Sequence, residues 1–78
     1  MSSNLSRLQQ IFRDQLDTPN LVLAETSTPD QIEGWDSLAT IRIVVATEEE
    51  FGVQFDAAQI EGVKSVADLL RAIETASA

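Results

Sequence analysis

Apolar residues recur at Leu5, Leu8, Ile11, Phe12 and Leu16, the three- and four-residue spacing of one helical face. They predict a first amphipathic helix over about residues 3–17, with Asn4 or Ser3 as its cap. Thr18-Pro19-Asn20 ends it, because proline disfavours helix in the residue before it. Residues 18–36 then form a long connection carrying Pro19, Pro29 and Gly34. A structureless stretch of this length is unusual in a compact domain and is often functional. Leu21, Val22, Leu23, Ile32 and Trp35 punctuate it and are expected to pin it across the helices. Pro29-Asp30-Gln31-Ile32 is compatible with a short helical turn, with proline at its first position.

Asp36 reads as an N-cap, and a second helix is expected from Ser37 to about Phe51, with Gly52 at its C′ position. Val53-Gln54-Phe55 follows as a short extended stretch. Asp56-Ala57-Ala58-Gln59 has the form of a capping box that opens a brief third helix ending by Gly62. Ser65-Val66-Ala67-Asp68 is a second start of that kind. Val66, Leu69, Leu70 and Ile73 extend the last helix to about Thr75, and Ala76-Ser77-Ala78 is expected to fray. No internal repeat and no strand periodicity stands out. The prediction is an all-α fold: one domain over residues 1–78, a small four-helix bundle of three main helices plus a short one, with a long loop between the first and second.

The second helix breaks the single-stripe rule. At about 100° per residue, Ile43, Val44 and Phe51 fall on one side, and Leu38, Ile41 and Val45 fall roughly opposite. A helix packed on one core needs one stripe. A bundle this small buries only roughly 60–65% of its unfolded surface, so it can hardly enclose a helix on all sides. Either the long loop covers the second stripe, or that stripe docks a partner, with Arg42 and Glu49 as a charged rim.

Composition narrows the chemistry. Thirteen acids against five bases give a net charge of −8, which disfavours nucleic acid and favours basic protein partners. Histidine and cysteine are both absent, removing Ser-His-Asp and thiolate nucleophiles and every His- or Cys-ligated metal site. Carboxylates alone remain for a metal, and Glu48-Glu49-Glu50 on one helical turn point three ways. An enzyme built from these residues would have few tools. No apolar run approaches the roughly 20 residues a membrane helix needs, and Met1-Ser2-Ser3-Asn4 has no leader character. A cytoplasmic, monomeric protein is expected. Ser37 lies in the first turn of the second helix, where unpaired N–H groups and the helix dipole favour a phosphate. It is either an ordinary helix-start serine or a hydroxyl that another enzyme modifies.

At Gly34-Trp35-Asp36-Ser37-Leu38 the sequence resembles the attachment motif of the acyl and peptidyl carrier proteins. The similarity continues through Val45-Ala46-Thr47-Glu48-Glu49-Glu50-Phe51-Gly52-Val53 and Val63-Lys64-Ser65-Val66-Ala67-Asp68-Leu69-Leu70, and so covers essentially the whole chain. The resemblance implies that Ser37 receives 4′-phosphopantetheine from coenzyme A through a phosphopantetheinyl transferase. The arm's thiol would then hold acyl or aminoacyl groups as thioesters. Asp36 and Leu38 complete the attachment motif, and Trp35, Leu38, Ile41, Arg42 and Val45 are the implied surface for partners. Those partners are the transferase, a loading enzyme, and downstream synthases or transferases.

Two departures stand out. Fatty-acid-type members usually carry acids just after the motif, where this chain has Ala39 and Arg42. Thr47 occupies a core-facing position that is usually a large aliphatic, and its hydroxyl could bond the carbonyl four residues earlier. Trp35, Ala39 and Arg42 lean toward a specialised route (polyketide, nonribosomal peptide or modified sugar). The alternatives are a housekeeping fatty-acid carrier and an armless protein-binding module.

Overall fold

The computed structural model of the chain describes residues 3–77, and of the side chains residues 4–76. Four helices follow in order: α1 (Ser3–Leu16), α2 (Ser37–Phe51), α3 (Ala57–Glu61) and α4 (Val66–Ser77), with no strand among the described residues. The all-α bundle of three main helices and a short one, with its long first loop, is as the sequence predicts. The expectations that rest on Met1, Ser2 and Ala78 lie outside the described residues. Ala76 and Ser77, expected to fray, continue α4.

The core is where the amphipathic stripes meet. Leu8, Ile11 and Phe12 of α1, Ile43 of α2, and Val66, Leu69, Leu70 and Ile73 of α4 are all buried. Thr47 is buried among them, and its Oγ1 donates to the Ile43 carbonyl at 2.7 Å. The hydroxyl is thus satisfied inside its own helix, as the sequence suggested.

Local chemistry sets most helix ends. Gly52 closes α2 at φ 67°, and the N–H of Val53 returns to the Glu48 carbonyl at 3.1 Å, a Schellman close. The carboxylate of Glu48 also accepts the Phe55 N–H at 2.8 Å, tying the extended stretch to α2. Asp56 opens α3 with both halves of the capping box made. Three ends are made differently from expectation. α1 stops at Leu16, because Asp17 turns left-handed at φ 54° and Thr18 N–H returns to the Arg13 carbonyl at 3.0 Å. The close therefore precedes Pro19, and Asn4 lies within the helix rather than capping it.

At α4 the expected box is replaced. The Asp68 carboxylate accepts the Lys64 N–H at 2.9 Å and the Ser65 hydroxyl at 3.4 Å, and it pairs with Arg71 at 2.6 Å. The Lys64 N–H, helped by Arg71 and Ser65, holds the Asp68 carboxyl below the usual carboxylate range.

The long loop is laid across the bundle by hydrogen bonds as well as apolar contact. Gln9 Oε1 accepts the Leu23 N–H at 2.9 Å, and Arg13 Nε donates to the Leu21 carbonyl at 2.7 Å. Val66 N–H donates to the Ser27 carbonyl at 3.0 Å and Ala67 N–H to the Glu25 carbonyl at 2.9 Å, so the loop satisfies the start of α4. Leu23, Ile32 and Trp35 are buried, and Leu21 is half-buried. Val22, expected to pin the loop, is instead 77% exposed, because its neighbours on either side take the inward positions. The stretch at Pro29 is a turn closed by Gln31 N–H on the Thr28 carbonyl at 2.9 Å, not a helix.

Candidate functional site

The site is built at the point where this loop enters α2. Gly34 adopts φ 87°, a left-handed conformation that glycine takes without strain, and Trp35 N–H closes the turn on the Ile32 carbonyl at 3.2 Å. That turn drives Trp35 into the core, where its ring meets Phe12 edge to face at a centroid distance of 4.9 Å. Trp35 is 4% exposed. Its placement on the partner surface is therefore corrected: its ring is a packing element, and its indole N–H is spent on Thr40.

Trp35 Nε1 donates to Thr40 Oγ1 at 2.8 Å, and that hydroxyl donates to the Asp36 carbonyl at 3.0 Å. Asp36 Oδ1 accepts the Ala39 N–H at 2.8 Å, so the predicted N-cap is formed. Core packing, indole, hydroxyl and cap together hold the backbone on both sides of Ser37. Sequence reasoning missed Thr40; a hydroxyl in the first helical turn, five residues after a tryptophan, was the available signal.

Ser37 itself is exposed, and its side chain makes no hydrogen bond among the described residues. It borders an open cleft of about 540 Å³, walled by Pro29, Asp30, Asp36, Thr40, Val63 and Lys64. That size lies within the range of small-molecule sites. A second cleft runs from Ser37 toward Ile41, Ile60 and Glu61. Val63, Lys64 and Ile60 were not placed at the site from sequence, because only the tertiary fold brings the α3–α4 link beside α2. An uncommitted hydroxyl at a helix start, opening onto such clefts, suits a bulky phosphate-linked substituent.

Along α2 the second apolar stripe is uncovered: Leu38 is 59% exposed, Ile41 55% and Val45 49%. Arg42 and Glu49 are exposed beside it. The long loop therefore does not cover this face. Ala39, by contrast, is 4% exposed and belongs to the core, so of Ala39 and Arg42 only Arg42 changes the surface. Among the described residues no group of three or more acids could hold a metal, and no helix is long and apolar enough to cross a membrane.

A carrier-type helical bundle with an exposed serine at the start of α2 is the class that this fold and site define. Residues 6–73 match the phosphopantetheine attachment site family. The chain is similar to an acyl carrier protein of Saccharopolyspora erythraea, 32% identical over 92% of this chain and 83% of the relative. It is also similar to one of Thermosynechococcus vestitus, 36% identical over 88% of this chain and 85% of the relative. The solution structure of the holo acyl carrier protein from Geobacter metallireducens superposes with a TM-score of 0.87 at 26% identity, covering 97% of this chain and 87% of the other.

The chain belongs to the phosphopantetheine-binding acyl carrier protein family. It is a carrier rather than an enzyme, and its cofactor is covalent 4′-phosphopantetheine. That cofactor supplies the thiol that the chain itself lacks.

Proposed function

We propose that Ser37 is the residue that carries the phosphopantetheine arm, with residues 1–78 acting as one carrier domain that presents thioester-bound intermediates to a succession of enzymes. The observation that carries this reading is the exposed, uncommitted Ser37 hydroxyl at the start of α2, held in place by Asp36 and Thr40 and opening onto two clefts. Leu38, Ile41 and Val45 are the face that the transferase, the loading enzyme and the downstream enzymes grip; their exposure in a row beside Ser37 supports this. Arg42 stands beside the stripe, and the first turn of α2 has no acid. A partner built to read a row of carboxylates there would find none, which favours a specialised thioester pathway over housekeeping fatty-acid synthesis.

Intact-protein mass after incubation with coenzyme A, magnesium and a broad-specificity phosphopantetheinyl transferase tests the reading. One added phosphopantetheine in the wild type and none in Ser37→Ala is the expected result. No addition to the wild type, while a control carrier in the same tube is modified, would favour an armless binding module.

A further inference from the structure

The five basic side chains are unevenly committed. Arg7 Nε donates to the Glu50 carboxylate at 3.0 Å and its guanidinium lies 4.0 Å over the Phe51 ring. Arg13 holds the Leu21 carbonyl, and Arg71 pairs with Asp68. Arg42 and Lys64 make no hydrogen bond or ion pair through their side chains among the described residues, although the chain has 13 acids to offer. Lys64 lines both clefts that meet at Ser37. It is the one cation lining either of them among the described residues; the other charged lining residues are Asp30, Asp36 and Glu61.

The backbone at Lys64 is fixed while its side chain is free. Its N–H is held by the Asp68 carboxylate at 2.9 Å, and Val63 N–H is held by the Ile60 carbonyl at 3.3 Å. An ammonium group on a four-carbon stem therefore reaches out from an anchored link. A phosphodiester attached to Ser37 Oγ would add a negative charge to a site whose other lining charges are three carboxylates. The helix start offers it partial positive charge. Lys64 is the full counter-charge within the same clefts, and nothing else among the described residues claims it.

We propose that Lys64 is a positioning residue for the arm: its ammonium pairs with the phosphodiester on Ser37 and draws the arm against the Val63–Lys64 wall of the clefts. This rests on Ser37 being the attachment residue. The ligand class is a serine-linked phosphodiester, a monoanion at neutral pH.

The test uses the isotope-labelled full chain in its apo and mass-verified holo forms, as wild type, Lys64→Gln and Lys64→Arg. Amide and phosphorus NMR spectra are recorded at about 20 mM and about 500 mM salt, a range across which an exposed ion pair goes from weakly to strongly screened. The expected result is that loading the wild type shifts the amides of Val63, Lys64 and Ser65 as well as those at the start of α2. Lys64→Gln loses the shifts in the link and moves the phosphorus resonance, Lys64→Arg retains them, and high salt brings the wild type toward Lys64→Gln. Both variants keep the backbone bond to Asp68, so their folds are comparable. Link amides that stay still in the wild type, or move equally in Lys64→Gln, overturn the inference while leaving Ser37 as the attachment residue. Failure of the wild type to gain the arm at all overturns both.

Discussion

Ser37 and Asp36 are neighbours with separable duties. The cap bond runs from the Ala39 N–H to Asp36 Oδ1, and the Ser37 side chain takes no part in it. Ser37→Ala should therefore keep wild-type helicity by circular dichroism while losing all loading. Asp36→Ala should instead cost about 1 kcal/mol of stability in a denaturant titration, the usual loss for an N-cap.

Asp68 gives a pH signature. Its carboxyl is held below its ordinary value by the Lys64 N–H and Arg71, so the folded state favours the ionised form. The stability this contributes is fully present above the ordinary carboxylate range and is lost as pH falls through the lowered folded value. Urea melts between neutral and strongly acidic pH should show a shallower acid loss in Asp68→Asn than in the wild type; equal slopes would remove Asp68 from the acid response. The motif residues around Ser37 were readable because a cap and a helix start are local chemistry. Trp35 pins the loop as its apolar character suggested, and only its reading as partner surface fails, because the turn at Gly34 sends the ring edge to face onto Phe12, far away in sequence.

Among the elements, α2 was the most legible. Its bounds and its two apolar sides follow from Asp36, Gly52 and the side-chain spacing, and the structure leaves the second side exposed. Ile41→Asp and Val45→Asp should each change stability by no more than about 0.5 kcal/mol, the ordinary range for a surface site. Each should also slow arm transfer by the transferase about tenfold, equivalent to about 1.4 kcal/mol of lost docking. Unfolding by either substitution would mean that the stripe is part of the core. The ends of α1 and α4 were less legible. Asp17 takes a backbone conformation that glycine usually supplies, and α4 borrows its first partners from Ser27 and Glu25 across the molecule.

For the molecule as a whole, the long loop is a structural member rather than a tether. It closes one side of the core with Leu23, Ile32 and Trp35 and completes the start of α4. Long-range ties of this kind carry no sequence period, which is why the loop's path was invisible while its apolar residues were not. Gln9→Ala tests the tie. It removes the acceptor for the N–H of Leu23, a residue 4% exposed, and should cost about 1–3 kcal/mol, the penalty for a stranded buried donor. In a domain with so thin a margin, that should be visible as a clear drop in the urea midpoint.

The central claim, that Ser37 bears the arm, is most directly tested by locating the arm after loading. Cleavage after glutamate releases a fragment spanning residues 34–48, in which Ser37 is the one serine. Tandem mass spectrometry should find the phosphopantetheine on that fragment and on Ser37. An arm found on any other residue, or none on a chain whose control carrier is loaded in the same tube, would contradict the account.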